Sequence, residues 1–420
     1  MSIRRIWLNP IGVGCVVATL CIVNISPAYS QQIQANTYQS FLELFELSQT
    51  NIESVAFTEA AQARLQQAKM RPNPQIGIGV ENFAGNRSYR GFSNTETTFT
   101  ISQDLELYGR RNARTNVASS FLQSANFQKE IRRIEFASNL AKLYGEAEAA
   151  QRNLELSQSQ LDLAADDLRI VSILYEGGRE PLLRKIQAET DLAKIRSDLT
   201  DCENIKNIAL DNLRSYLNYS NEIRSINMML LESIPKVSTE FDIERNPNYR
   251  ALVAERNAYK FQIESARIEA RPNASAYIGA RNFNGDNSTA FVGGISVSVP
   301  IFNNNSGNIS ASSAEFQASE ARLTNFALRT EGQRRVLINR INSISQRLSS
   351  IESAILSAEE TYRMSKIGFQ AGRINLIEVQ TARTTLFELK QLTISNLLER
   401  VRAESDLAMI EGRIPYGASQ

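Results

Sequence analysis

The chain has 420 residues, 42% apolar and 22% charged, with 46 Lys plus Arg against 45 Asp plus Glu and no histidine. So even a balance gives no electrostatic ground for nucleic acid as a partner. Without histidine, and with only Cys15, Cys21 and Cys202, a His-based triad, a His-ligated zinc site and a cysteine-rich metal knuckle are excluded, so neither metal centre nor cofactor is expected. Only 20 Gly and 10 Pro punctuate the sequence, which predicts long individual elements.

Arg4 and Arg5 precede an apolar run from Ile11 to Val23, and Pro27-Ala28-Tyr29-Ser30 closes it in a small-x-small pattern. This predicts a secretory signal peptide over residues 1–30, with the mature chain starting at Gln31. The apolar run is short for a membrane span, and the bulky Leu20 before Cys21 makes a poor lipidation site. Cleavage would leave Cys202 as a lone thiol, expected to be a small core residue. No later apolar run approaches 18 residues, so a helical span is excluded and a transmembrane β-barrel stays open.

The mature chain reads as two copies of one plan. Arg71-Pro72-Asn73 recurs as Arg271-Pro272-Asn273, Leu105-Glu106-Leu107-Tyr108 as Val299-Pro300-Ile301-Phe302, and Tyr175, Gly178, Arg179 as Phe369, Gly372, Arg373. The offset changes between the first pair and the later two, which places a longer loop near residues 84–95 than near 284–289. Each half reads as helix, two strands, long helix, tight turn and returning helix, over residues 31–235 and 236–420.

Ile76, Ile78 and Val80 alternate with polar or small residues, as do Phe99 and Ile101, and then Phe291, Ile295, Val297, Val299 and Ile301. Period two predicts strands over about 74–84, 96–108, 273–283 and 289–302, each of roughly the length that crosses a bilayer when the strand is tilted. A soluble sandwich would need a second sheet over the apolar face, and no further strands are available, so lipid is the natural cover. Tyr108 and Phe302 at one strand end, and Phe83 and Phe92 toward the other, suit aromatic girdles.

Arg110–Leu174 and Asn305–Gly368 run without proline. Each would form a rod of roughly 95–100 Å if helical throughout. Leu337, Ile341, Ile344, Leu348, Ile351, Ile355, Ala358 and Tyr362 follow alternating steps of four and three, a coiled-coil seam, while Leu154, Leu161, Leu168 and Tyr175 repeat every seven. Gly178 and Gly372 suit the left-handed cap that lets a helix reverse. Apolar patterns then restart at Leu182-Leu183 and Leu376-Ile377, and the returning helices are expected to end near Pro235 and Pro415.

The order and duplication of Arg71-Pro72-Asn73-Pro74, the run Ser102 to Arg111, Val299-Pro300-Ile301-Phe302-Asn303 and the two hairpin turns resemble the TolC-like outer-membrane efflux ducts over the whole mature sequence. The Gln103–Arg111 stretch is most similar to the heavy-metal subgroup, the cobalt-zinc-cadmium and copper-silver ducts. Thr50-Asn51-Ile52 departs from the family's Asn-Pro pair, which the second half keeps as Asn246-Pro247.

The resemblance implies a mainly helical fold with a transmembrane β part. Three chains would each give four strands to a twelve-stranded barrel in outer-membrane lipid and their helices to a periplasmic tunnel. It implies passive export of metal cations or small toxic compounds delivered by an inner-membrane pump and a periplasmic adaptor, with no enzymatic activity. A duct for type I protein secretion is the nearest alternative, and a non-channel periplasmic coiled-coil adaptor a more distant one.

The resemblance also assigns the hairpin tips, with Gly178, Arg179, Gly372 and Arg373, to adaptor docking. It places Glu378, six residues past Gly372, in an acidic ring at the periplasmic constriction. The equivalent position after Gly178 is Arg184, so in a trimer Glu378 and Arg184 are expected to alternate around the axis and pair between hairpins as a gate.

Overall fold

The computed structural model describes residues 36–233 and 241–416; the predicted signal segment and the boundary at Pro235 lie outside them. The chain runs through α1 (Tyr38–Glu43), α2 (Gln49–Lys69), β1 (Gln75–Glu81), β2 (Glu96–Asp104), α3 (Arg110–Glu176) and α4 (Leu182–Leu217). The order of α2 onward then recurs as α5 (Pro247–Glu269), β3 (Asn273–Phe283), β4 (Ser288–Ser298), α6 (Ser306–Gln370) and α7 (Leu376–Glu411). No described helix is long and apolar enough to cross a membrane.

Both entry helices start on a side-chain cap. Asn246 accepts from the Asn248 N–H at 2.9 Å, with Pro247 in the first turn. In the first half the cap is Ser48, which accepts from the Asn51 N–H at 3.1 Å. A serine thus does the capping that Asn-Pro does in the second half, and Asn51 turns its amide back to the Glu46 carbonyl at 3.0 Å.

The four strands form one antiparallel sheet in the order β1-β2-β3-β4. The two halves therefore join at the β2–β3 pair, where Ile101 faces Ile278 and Phe99 faces Ala280. β3 has the bounds that the alternation suggests, while β1, β2 and β4 are shorter, for local backbone reasons. β1 stops where Asn82 turns to φ 59°, and β2 stops before Glu106 and Tyr108, at φ 39° and 60°. β4 ends at Ser298, two residues before Pro300, which has no N–H for a ladder.

α3 and α6 have 67 and 65 residues, so each is roughly 100 Å long. The α6 seam is as its spacing predicts: Ile344, Ile351, Ala358 and Tyr362 are buried, with Leu337, Ile341, Leu348 and Ile355 half-buried. In α3 the seven-residue repeat is not the seam. Leu154, Leu161 and Leu168 are half-buried and Tyr175 is exposed, whereas Ser157, Ala164, Asp167 and Val171 are buried. α3 packs against α2, α4, α5 and α7 along its length, and its small residues admit the closest approach. A Cβ on Gly145, for example, would sit 3.1 Å from Val401.

α4 ends at Leu217, well before Pro235, because Asn218 adopts a left-handed cap at φ 50°. The chain then crosses a core shared by both halves. Tyr38, Phe41 and Phe45 pack with Phe136, Leu140, Tyr144, Leu213, Ile223, Leu231 and Val401. The fully buried Glu148 is held there by the Leu230 and Leu231 N–H groups, at 2.8 and 3.1 Å, and by Arg152 at 2.8 Å. Burial still pushes its carboxyl upward. Cys202 is half-buried on α4 rather than a core residue.

Candidate functional site: a sheet wall and two helical tips

The pleat sorts the sheet into two faces. One carries Ile76, Ile78, Phe99, Ile101, Ile278, Phe291, Ile295 and Val297, all exposed, with Phe291 at 93%. The other carries Glu81, Glu96, Thr98, Thr100, Ser102, Asp104, Ser275, Tyr277, Arg281, Ser296 and Ser298. This polar face is kept thin by glycine. A Cβ on Gly279 would lie 2.2 Å from the Phe99 carbonyl oxygen, and one on Gly294 would lie 2.8 Å from the Tyr277 hydroxyl. β1 and β4 are open edges, each with unpaired N–H and C=O groups. Phe302, Tyr108, Phe83 and Phe92 are exposed at the strand ends, at 101%, 49%, 53% and 71%.

The helices that lead into or out of the strands, α2, α3, α5 and α6, attach at one end of the sheet, so the 82–95 loop and the 284–287 turn lie at the other. Asn284 ties them together, donating its N–H to the Thr95 carbonyl at 3.0 Å and its amide to that of Phe92 at 2.9 Å. Just below, Arg281 donates to Glu96 and to the Thr98 hydroxyl, both at 3.0 Å, and lies 3.5 Å from Glu81. The second Glu96 oxygen accepts from Asn82 at 2.9 Å.

At the far ends of the rods the two turns are built alike. Gly178 and Gly372 take φ 70° and 71°. Arg179 N–H returns to the Leu174 carbonyl at 2.8 Å, and Arg373 N–H to that of Gly368 at 2.9 Å, closing each helix with a left-handed cap. The tips adjoin, since a Cβ on Gly372 would be 3.9 Å from the Arg179 guanidinium. Arg179 and Arg373 are exposed. Glu378 is exposed in the first turn of α7, and Arg184 is half-buried and donates to Gln187 at 3.0 Å. Within one chain, therefore, Glu378 and Arg184 are not paired.

What sequence reasoning missed lies eleven residues inward from each tip glycine. Arg383 on α7, with no exposed surface, bonds to Asp167 of α3 at 2.5 Å and also to Asp191 of α4, which accepts from Gln380 at 3.2 Å as well. On the same helices and α6, Val171, Ala188, Ala358, Tyr362, Val379 and Leu386 form one buried apolar cluster. Burial pushes the Asp167 carboxyl up despite the opposing pull of Arg383 and Lys366, and we attribute this to desolvation outweighing the pairing. The signal was available. Leu376, Val379, Arg383 and Leu386 step by three, four and three, as do Ala164, Asp167, Val171 and Leu174, so opposite charges stand at seam positions of the two hairpins.

The family described as outer membrane efflux protein matches this chain over residues 53–219 and 242–413. The chain is similar to the nickel-cobalt-cadmium resistance protein NccC of Alcaligenes xylosoxydans xylosoxydans, 28% identical over 93% of this chain and 90% of the relative. It is likewise similar to the nickel and cobalt resistance protein CnrC of Cupriavidus metallidurans, 29% identical over 75% of each. Among solved structures its fold is similar to that of CusC, with TM-score 0.78 at 17% identity over 90% of this chain and 92% of that one. It is also similar to the outer membrane protein VceC of Vibrio cholerae, with TM-score 0.72 at 17% identity over 90% and 96%.

Proposed function

Since the chain belongs to the outer membrane efflux protein family, we propose that three copies close one barrel and export metal cations handed to them from the inner membrane. The chain is an outer membrane efflux duct extending into the periplasm, and its family is one of transport rather than catalysis. The observation that carries the trimer is the sheet: four strands with an exposed apolar face and two open edges. Edges are not tolerated in hydrocarbon, so strands from several chains must close on one another. Two chains would make eight strands, a barrel filled by its own side chains; twelve strands leave a lumen, so three chains are the smallest conducting assembly.

Cations as cargo are supported by the relatives, which are named for resistance to nickel, cobalt and cadmium. The reading includes a signal peptide over 1–30, duplicated halves over 31–235 and 236–420, and a periplasmic adaptor and inner-membrane pump as partners. The adaptor meets the tips at Gly178, Arg179, Gly372 and Arg373, and Glu378 pairs with Arg184 of another hairpin as a gate. The test is deletion of the gene in its host followed by growth on nickel, cobalt and cadmium salts. Sensitivity that the intact gene reverses is expected; undiminished resistance to all three would overturn the cation cargo.

A further inference from the structure

Glu81 and Glu96 are direct register partners at the outer end of β1 and β2, on the polar face that lines the lumen if the barrel closes with its apolar face to lipid. Like charges placed opposite one another across a strand pair repel. Two carboxylates facing each other on a pore wall also suit a hard divalent cation, which takes carboxylate oxygens as ligands. The position between them is already filled. Arg281 reaches across from β3, in register with Thr98, and its guanidinium spans both carboxylates, while Asn82 takes the remaining Glu96 oxygen. Asp104 lies at the other, helix-bearing end of β2; at the mouth, with the 82–95 loop and the 284–287 turn included, Arg87, Arg90 and Arg281 balance Glu81, Glu96 and Asp286, so only the pairing by Arg281 keeps the two strand carboxylates from standing free.

We infer that Arg281 is a tethered counter-cation: it occupies Glu81 and Glu96 so that cations leaving the duct are not captured at the mouth. A conducting pore needs binding favourable enough for entry and weak enough for release. Free carboxylate pairs, one per chain, would favour entry and hinder release. A mouth without a vacant chelating pair favours release at this last step. The inference rests on the cation-duct reading and adds to it the residue that sets release.

Purified wild-type protein and the variants Arg281→Gln, Arg281→Lys and Arg281→Gln with Glu96→Gln are compared in planar bilayers, in KCl with Co2+ added on the loop side. The Arg281→Gln current is expected to fall by more than half at Co2+ concentrations that leave the wild type and Arg281→Lys unchanged. The double variant should recover the wild-type response. An Arg281→Gln current as insensitive as the wild type, or a wild type already as sensitive as Arg281→Gln, overturns the inference and leaves the duct reading standing. A wild type that forms no pore overturns both. Should Arg281→Gln not assemble, Glu81→Gln with Glu96→Gln carries the test: the freed Arg281 should shift the reversal potential in a KCl gradient toward anions, and an unmoved potential overturns the inference.

Discussion

Arg383 is the side chain on which the two hairpins depend most, because it is fully buried between carboxylates of α3 and α4. Arg383→Ala would strand Asp167 as a buried, uncompensated charge and is expected to destabilise the protein by about 3–5 kcal/mol. Replacing the pair together, Arg383→Met with Asp167→Leu, removes the charge along with its partner and should cost much less. Thermal melts of the detergent-solubilised protein distinguish the two; equal losses would mean that Arg383 acts by packing alone.

The Asp167 carboxyl is raised in the folded state by burial. The folded chain therefore takes up that proton more readily than the unfolded chain. Its contribution to stability grows as pH falls through the raised folded pKa, and is complete below the unfolded value of about 3.9. Wild type should gain stability on Asp167→Asn as pH is lowered from neutral toward that range; a widening deficit would reverse the sign assigned here.

At the scale of elements, the turns and the sheet are the parts that single atoms can break. Gly178 and Gly372 hold left-handed backbone that a β-branched residue resists, at about 1–2 kcal/mol per position. Gly178→Val with Gly372→Val should therefore distort both tips while the distant sheet is untouched. Trimers should still form and adaptor crosslinking should be lost; normal crosslinking would remove the tips from docking. Gly279→Ala acts oppositely. Its Cβ would meet the Phe99 carbonyl in the central β2–β3 pair. Loss of the assembled trimer on semi-native gels is expected there, and an intact trimer would show that the sheet yields at that contact.

For the whole molecule, the prediction concerns charges that one chain leaves unmatched. Glu378 is exposed, and among the described residues the Arg184 side chain bonds only to Gln187 on its own helix, so both are available to a neighbouring chain. An exposed pair contributes only about 0–1 kcal/mol, but several at one constriction can bias an open–closed equilibrium. Bilayer conductance should rise in Glu378→Arg, and fall back when Arg184→Glu is added. Unchanged conductance and cation selectivity in Glu378→Arg would exclude it from the gate. The mature protein should fractionate with the outer membrane and begin at Gln31, which N-terminal sequencing checks; recovery from cytosol with residues 1–30 intact would refute it.

Local periodicity carried much of this fold. Alternation at Ile76, Ile78 and Val80, the four-three steps from Leu337 to Tyr362, and glycine at 178 and 372 each reflect a constraint that acts within a few residues, so the sequence alone determined strands, rods and turns. It could not determine which α3 face becomes the seam. Leu154, Leu161 and Leu168 are the more apolar choice, yet Ser157, Ala164 and Asp167 are buried, since close helix approach favours small residues and depends on neighbours hundreds of positions away. The α4 terminus falls short of Pro235 for a related reason: Asn218 takes a left-handed cap that asparagine tolerates but does not announce. The seam spacing places Arg383 and Asp167 on inward faces, but that they pair with each other, and Arg281 with Glu81 and Glu96, is decided only by the tertiary structure. An isolated charge in a sequence reads as solvated, and only chain segments brought together from both halves supply the opposite charge that makes its burial affordable.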